Sequence, residues 1–311
     1  MRLVFFGTPD CAVPYLERLA TEHEVLAVVT QPDRPQGRGR HLASPPVKRL
    51  AQRLGIPALQ PERVRRAGLS EHPALREAQA LVVFAYGQVL PPELCDRLER
   101  PCLNVHYSLL PLLRGAAPVQ RVLLGGSQTT GVSVQYVSEQ LDSGDLILQE
   151  EVVVEPQDDA GSLFAKLEPI GLALLSQALR LLAQGAALRR AQDDAQATYA
   201  PPLRPQEGAV AWTRSALEIA HQIRACSPRP GAFCRYRDSF LKLFAPAPLA
   251  PSLPPAAPGE VVGVGPEGLT VGTGQGLLLV REVQPAGKRR MNAADFARGA
   301  RLEAGARLDP G

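Results

Sequence analysis

The first half of the chain alternates short apolar runs with amphipathic stretches. Short apolar runs bounded by turn residues are typical of buried strands, and apolar positions at helical spacing are typical of amphipathic helices. This alternation predicts an α/β fold with a parallel sheet and helices on both faces, to which the last two strands can add a hairpin. Strands are predicted over 3–6, 25–30, 80–85, 103–106, 131–137 and 146–154, and helices over 12–21, 46–54 and 116–124.

The pattern changes in the second half. A long helix is predicted over 162–183, and Gly185 is its stop signal. Residues 186–205 are largely polar and end in a proline-rich run, which is typical of an interdomain linker. One helix is predicted over 217–226. The strands that follow are short and separated by glycine and proline, as in a small barrel, and they lie at 233–236, 241–244, 260–264, 269–272 and 277–283.

Length and composition favour a globular protein with two domains. At 311 residues the chain exceeds the usual size of one hydrophobic core. The apolar run at the start is too short for a signal peptide, and no later run is long enough to span a membrane. We therefore expect a cytoplasmic protein with no membrane partner. The 5 cysteines are odd in number and form no Cys-x-x-Cys pair, so neither a disulfide framework nor a metal site is predicted.

Charge is uneven along the chain. Residues 201–311 hold 14 Lys+Arg and 9 Asp+Glu, whereas residues 1–200 hold 20 and 22. A basic second part suits a polyanionic partner such as a nucleic acid, although a solvated basic face explains the same excess.

Two glycine- or proline-rich segments of the second part are interpreted as loops. Gly263, Gly265 and Gly268 fit the string of a dinucleotide-binding motif, but another strand follows where that motif needs a helix. We therefore predict hairpin turns there. Residues 245–258 are rich in proline and alanine and are predicted to form a long mobile loop.

Candidate chemistry begins at the end of the strand over 103–106. Asn104 and His106 are two residues apart, so both side chains leave the strand on one face. Ligands of open α/β sheets bind at the carboxyl ends of the strands. Alone, the pair fits equally well a structural role in which each side chain satisfies backbone groups.

A second polar segment supplies an acid. Asp142 and Asp145 flank a Ser-Gly turn, and by themselves they indicate ordinary turn chemistry. Together with Asn104 and His106, Asp142 would complete an amide, an imidazole and a carboxylate for one acyl-transfer site. A third segment, 31–40, carries three arginines among prolines and glycines. It cannot form a regular element, and it is either solvated surface or an arm that contacts phosphates.

These segments resemble the methionyl-tRNA formyltransferase family over essentially the whole chain. The asparagine, histidine and distant Leu-Asp-x-Gly are common to folate-dependent formyltransferases, whereas the arginine loop and the second domain favour the tRNA enzymes. The matching segments are 6–10, 31–39, 44–48, 104–120, 131–132, 141–145, 197–201, Trp212, 284–288 and Met291.

The resemblance implies a Rossmann-like domain with a parallel or mixed sheet over 1–185, a linker over 186–205 and an OB-like β-barrel over 206–311 that binds tRNA. It implies transfer of a formyl group from 10-formyltetrahydrofolate, the co-substrate, to the α-amino group of methionine on initiator methionyl-tRNA. We expect a monomer.

Site residues follow from the same resemblance. It assigns catalysis to Asn104, His106 and Asp142. It assigns folate contacts to Phe84, Tyr86, Gly87, Gln88, Ser108, Leu109, Leu110 and Pro111. It assigns tRNA contacts to Arg34, Arg38, Arg40, Lys48, Arg114 and Lys288. Tyr107, Leu112 and Leu113 depart from the family pattern and could alter the entrance for the acceptor.

Three other functions remain open at this point. A formyltransferase for a small amine would keep the catalytic residues but has no need of 205–311. A formyltetrahydrofolate hydrolase would use water as the acceptor and needs no basic loop. A non-catalytic RNA-binding protein would leave Asn104, His106 and Asp142 unexplained.

Overall fold

The structure is a computed structural model that describes residues 1–36, 41–91, 94, 100–249 and 256–311, with Gln36 and His41 described by their backbone alone. Two compact units share these residues. The first comprises Met1–Gly115, Gly131–Val152 and Leu167–Tyr199, and the second comprises Ala116–Thr130, Val153–Lys166 and Ala200–Gly311.

Five helices form where the apolar pattern predicts them. Their ends differ from the predicted ends by one or two residues, and two further short helices, α3 and α7, were not predicted. The helices are α1 (Val13–Glu22), α2 (Pro46–Arg53), α3 (Pro73–Glu77), α4 (Pro118–Leu124), α5 (Ala160–Ala183), α6 (Ala216–Cys226) and α7 (Ala293–Ala300).

The first unit is built on a mixed sheet. Within the described residues the strand order is β5-β2-β1-β6-β7-β8-β9. Strand β1 pairs in parallel with β2 and β6, and β6 pairs in parallel with β7, whereas β7 and β8 are antiparallel. The strands of this half are β1 (Arg2–Phe6), β2 (Glu24–Val29), β3 (Arg34–Gln36), β4 (His41–Ala43), β5 (Ala58–Leu59), β6 (Ala80–Val83), β7 (Cys102–His106), β8 (Thr129–Tyr136) and β9 (Leu146–Val153).

The middle of this sheet is fully buried, which confirms the interpretation of the continuous apolar runs. Phe5 and Phe6 on β1 and Val82 on β6 are all 0% exposed. Burying a side chain of this size contributes about 1.5–3 kcal/mol relative to leaving it in water. The strand order reverses direction between β1 and β6, so their carboxyl ends border the crevice where ligands bind in such sheets.

The arginine-rich segment was wrongly predicted to lack regular structure. Residues 34–36 of the segment form β3, which pairs antiparallel with β4 just after the segment, with Pro35 opposite Leu42. A proline is tolerated in a strand that has a free edge, because its missing N–H then faces no partner. The last four residues of the segment, 37–40, which include Arg38 and Arg40, lie outside the described residues.

The second unit contains antiparallel strands. In its described part the order is β10-β11-β14-β13-β12, and β15 pairs with β14. The terminal segment bridges both ends of this path, since Asp309 pairs with Arg235 of β10 and Arg307 pairs with Glu260 beside β12. The strands are β10 (Ala232–Tyr236), β11 (Ser239–Leu249), β12 (Val261–Gly265), β13 (Gly268–Gly272), β14 (Leu277–Pro285) and β15 (Met291–Asn292).

Helix α6 begins at a capping box and packs on this sheet. Ser215 Oγ accepts a hydrogen bond from Glu218 N at 3.2 Å, and the Glu218 carboxylate accepts one from Ser215 N at 3.0 Å. This reciprocal pair satisfies two free amides of the first turn. The apolar face of the helix, with Ile219 and Ile223 both 0% exposed, packs into a core shared with Leu243 of β11.

Two loop predictions have different outcomes. The glycine-rich string at 263–268 is a hairpin between β12 and β13, as predicted. The start of the predicted loop over 245–258 is instead strand, because β11 continues to Leu249 and pairs there with β14. Pro246 and Pro248 fit in this stretch because the pairing of β11 with β10 stops at Leu243.

In the described ranges, none of the helices is long and apolar enough to cross a membrane. The same residues contain no group of three His, Cys, Asp or Glu side chains that could hold a metal ion.

Candidate active site

The carboxyl half of β7 presents the amide and the imidazole. Asn104 lies opposite Gln135 of β8, and His106 lies opposite Ser133. The two side chains are on one face of the strand because they are two residues apart. Both contact the same carboxylate, that of Asp142, in the turn between β8 and β9. The structure thus brings the three predicted catalytic side chains together.

Asp142 is held by several donors. Its Oδ1 accepts hydrogen bonds from Asn104 Nδ2 and Gln135 Nε2, both at 3.1 Å, and its Oδ2 accepts one from Gly115 N at 2.9 Å. Its side chain is only 10% exposed. Its backbone has φ 54°, a left-handed conformation that few residues other than glycine adopt. Such a conformation persists at sites where the surrounding contacts over-determine it.

His106 lies between two oxygen atoms. Its Nδ1 is 3.6 Å from Asp142 Oδ2, and its Nε2 is 2.9 Å from Leu113 O. A carbonyl oxygen only accepts, so Nε2 donates in this contact. Asp142 Oδ2 therefore faces Nδ1 and accepts a hydrogen bond from it once that nitrogen also carries a proton, while Nε2 is directed toward the loop that follows β7.

Internal hydrogen bonds hold that loop, 108–115, in place. Ser108 Oγ donates to Leu112 O at 2.6 Å, and Ser133 Oγ donates to Ser108 O at 2.6 Å. Leu110 N donates to Ser133 Oγ, and Leu110 O accepts from Gln149 Nε2 at 2.8 Å. The Ser108 and Leu110 side chains are buried, whereas Leu109 and Pro111 are partly exposed. A folate contact by Ser108 would therefore use backbone or displace its internal hydrogen bond.

The segment after β6 joins the loop after β1. Thr8 Oγ1 donates to Tyr86 O at 2.8 Å. The Phe84 and Tyr86 side chains are 5% and 2% exposed, so they pack inward rather than line a surface. Burial raises the pKa of Tyr86 to about 12. Gln88 Oε1 accepts a hydrogen bond from Val64 N, and Gln88 Nε2 donates one to Glu62 O. Gly87 has φ 87°.

Tyr107, which we expected to differ from the family pattern, does not reach the surface. Its hydroxyl is 3.0 Å from the Tyr15 hydroxyl, and its side chain is 4% exposed. Gly171 makes room for this pair, because a Cβ there would lie 2.0 Å from Tyr15 Oη. The bulk of Tyr107 is thus accommodated in the core. Leu112, the neighbouring departure, is 44% exposed.

The predicted tRNA-contacting residues have different environments. Arg34 and Lys288 are exposed. Lys48 forms an ion pair with Asp33 at 2.7 Å, and hydrogen bonds from Gln60 and Lys48 lower the pKa of that carboxyl. Arg114 is 2% exposed and pairs with Asp194. Arg38 and Arg40 lie outside the described residues.

Sequence reasoning missed Gln135 and the backbone amide of Gly115 as partners of Asp142. Gln135 is 1% exposed in a strand that is buried from Thr130 to Tyr136. A lone amide in a buried strand is a usable signal, since buried polar groups need partners. The amide of Gly115 has no sequence signal of its own.

Comparison with known proteins decides the family. The formyl transferase family matches residues 1–179, and its C-terminal domain matches residues 202–301. The chain is 43% identical to the methionyl-tRNA formyltransferase of Bacillus licheniformis over 99% of this chain and 98% of that protein. The chain belongs to the methionyl-tRNA formyltransferase family. A second member, from Bacillus subtilis, is 44% identical over 98% of this chain and 96% of its own length.

Solved structures show the family fold at low sequence identity. The methionyl-tRNA formyltransferase of Clostridium thermocellum matches with a TM-score of 0.55 at 16% identity, over 79% of this chain and 93% of that one. HypX from Aquifex aeolicus, solved with tetrahydrofolic acid, matches with a TM-score of 0.64 at 17% identity, over 96% of this chain and 47% of its own.

Proposed function

We propose that the chain transfers the formyl group of 10-formyltetrahydrofolate to the α-amino group of methionine on initiator methionyl-tRNA, for translation initiation, with Asn104, His106 and Asp142 at the reacting atoms. One observation carries this assignment: a carboxylate at the turn after β8 is shared by an amide and an imidazole from the end of β7. Family membership supplies the donor and the acceptor.

The chemistry requires stabilisation of an oxyanion and two proton movements. The amine attacks the formyl carbon, the C–N10 bond breaks, N10 gains a proton and the attacking nitrogen loses one. Asn104 Nδ2 has a second hydrogen beside the one given to Asp142, and that hydrogen can be donated to the formyl oxygen. His106, once protonated, is a second donor and can give its proton to N10.

Asp142 has two tasks in this scheme. It orients His106 through Nδ1, and it takes the proton of the attacking amine, directly or through one water. The contact of His106 Nε2 with Leu113 O must give way when the folate binds, because the same nitrogen then faces the substrate. Catalytic hydrogen bonds commonly tighten in this way only once substrate is bound.

We assign the folate to the crevice beside β6. The strand order reverses at β1 and β6, where an open α/β sheet binds its ligand. The side chains of Phe84 and Tyr86 face inward, so backbone groups of 84–88 would contact the pterin. Residues 108–111 would lie on the other side of the pterin. The tRNA contacts proposed are those of Arg34, Arg38 and Arg40 in the 31–40 segment, Lys48 after it and Lys288 in the second domain. Arg114, 2% exposed and paired with Asp194, could reach tRNA only by leaving that pair.

Domain limits, location and assembly are part of the same proposal. We assign 1–185 to catalysis, 186–205 to a linker and 206–311 to tRNA binding; the family matches, which end at 179 and resume at 202, support these limits. We propose a monomer in the cytoplasm, where its tRNA substrate is charged. Light scattering of the purified protein, alone and with tRNA, tests the monomer: a mass of two chains would contradict it.

The deciding experiment is single-turnover transfer from 10-formyltetrahydrofolate to methionine-charged initiator tRNA, with elongator methionyl-tRNA and free methionine as competing acceptors. We expect rapid formylation of the initiator alone. Consumption of the folate without formylated tRNA would instead indicate a hydrolase or a small-amine acceptor. Absence of any folate turnover would favour the remaining alternative, a non-catalytic RNA-binding protein.

A further inference from the structure

A side chain from the predicted linker reaches the catalytic turn. Residues up to Tyr199 group with the first unit by their contacts. The segment is fixed at Arg190, whose N and O form hydrogen bonds of 3.0 and 2.8 Å with Leu146 at the start of β9. Two residues further on, Gln192 is turned toward the turn that carries Asp142.

The amide of Gln192 is engaged at both ends. Its Nε2 is within hydrogen-bond distance of Asp142 O at 3.0 Å, Gly144 O at 2.7 Å and Gln135 Oε1 at 3.0 Å. Its Oε1 accepts from Arg114 Nε at 3.1 Å and Nη2 at 2.8 Å. A guanidinium only donates, so Arg114 fixes which end of the amide faces the turn.

The contacts of Gln192 converge on the geometry of Asp142. One goes to the backbone of Asp142 itself, which has φ 54°. Another goes to Gln135, whose own Nε2 donates to the Asp142 carboxylate. The third goes to Gly144, where a Cβ would lie 1.8 Å from Tyr136 O, so the turn is tight. Gln192 therefore restrains both the backbone and the carboxylate of Asp142.

We propose that Gln192 is a positioning residue for formyl transfer, which holds the 142–144 turn so that Asp142 faces His106. The inference rests on the proposed role of Asp142. Arg114, at 2% exposure, serves in this arrangement to orient Gln192. Gln192 has no place at the reacting atoms, so its loss should lower the rate of transfer and leave the binding of folate and tRNA little changed.

The substitution Gln192→Glu tests the two ends of the amide separately. A carboxylate still accepts from Arg114, but it cannot donate to the carbonyl oxygens of the turn. We expect single-turnover transfer to slow by about 10- to 100-fold, the scale of a small misplacement of a catalytic group, with both KM values within about threefold. The matched control is Gln196→Glu, since Gln196 is exposed and donates to Asp193 in its own segment; its rate should equal that of the unmodified chain.

A double-mutant comparison tests whether Gln192 acts through Asp142. Gln192→Glu is measured again in an Asp142→Asn background, where we expect it to add less than about threefold, because coupled residues are not additive. An equal loss in both backgrounds would overturn the proposal, as would an unchanged rate for Gln192→Glu alone.

Separate measurements distinguish a loss of folding from a loss of function. Thermal unfolding of each variant is measured, and if Gln192→Glu is unfolded at the assay temperature, Gln192→Met, which is neutral and of similar size, takes its place with the same expected loss. If the unmodified chain transfers no formyl group to tRNA, the proposed function fails. If the unmodified chain is active and the Gln192 variants are equally active, the positioning role alone fails.

Discussion

The end of β7 in the first sheet and the core of the second sheet bury different kinds of side chain. Around the end of β7 the first unit buries polar groups, among them His106, Ser133 and Gln135, all at most 6% exposed. The core of the second sheet is formed by apolar side chains such as Leu243 and Ile223, both 0% exposed. Buried polar groups add little stability unless every partner is in place, whereas apolar burial stabilises without directional requirements. The first region is thus organised for chemistry and the second for a stable scaffold.

The largest effect should come from His106→Ala, which tests the first half of that comparison. We expect single-turnover transfer to fall by about 10²- to 10⁴-fold, the usual share of one acid–base group, with little change in the thermal midpoint. Rapid-quench kinetics on folded protein measure the rate. His72→Ala, which changes the cap of α3, is the matched control. A folded His106→Ala protein with nearly normal kinetics would remove His106 from the mechanism.

Leu243→Ala should show the opposite behaviour. Removal of a fully buried leucine leaves a cavity and lowers the free energy of unfolding by about 2–5 kcal/mol. The transfer rate per folded molecule, measured below the new midpoint, should stay within about twofold. Chemical denaturation with a parallel rate assay measures both quantities. A large loss of rate at full folding would show that the second sheet shapes the catalytic site.

A smaller effect is expected for the arginines of the 31–40 segment. Arg38→Ala should raise the apparent KM for tRNA or lower kcat, and it should leave folate binding unchanged. If Arg38 neutralises one phosphate, the slope of log affinity against log salt should become shallower by about 1. Titration of tRNA binding between low and moderate salt measures the slope. Arg34→Ala tests the described part of the same segment. Unchanged tRNA kinetics in both variants would exclude the segment from tRNA recognition.

The smallest effect concerns the start of α6. Ser215→Ala removes the cap that lowers the pKa of Glu218 to about 2, mainly through hydrogen bonds from Ser215. Because the folded pKa of Glu218 is depressed, its contribution to stability is present above the unfolded value and is lost as pH falls toward 2. We expect Ser215→Ala to lower the thermal midpoint by about 1–4 °C at neutral pH, and the difference to shrink below about pH 4. A difference that is constant with pH would contradict the role of the Glu218 charge.

The strength of the local signal decided what could be predicted from the sequence. Continuous apolar runs such as 80–83 predicted strands because a short run of apolar residues is typical of a strand that is buried on both faces. Strand β5, of two residues, and helix α3, of five, are too short for a period to be recognised. The ribbon at β3 and β4 was missed because proline and glycine suppress the strand pattern even where an edge position tolerates them.

The same reasoning applies to the site. Asn104 and His106 could be paired from the period of two, and the family pattern added Asp142. The contacts of Gln135 with Asp142 depend on the register of β7 against β8, which no local pattern gives. Gln192 lay in a polar segment whose composition predicted a linker, since composition does not reveal that one amide there faces a turn far away in the chain.

The bridging of β10 and β12 by the segment around Asp309 also affects the timing of folding during synthesis. Asp309 exchanges two backbone hydrogen bonds with Arg235, of 3.0 and 2.9 Å, and Val261 N donates to Ala306 O at 2.8 Å. The sheet path of the second unit therefore cannot close until these residues have left the ribosome. The last described strand of the first sheet, β9, ends at Val153. During translation the first sheet can be complete while the second still exposes two strand edges, and unpaired edges of this kind are prone to pair with other chains.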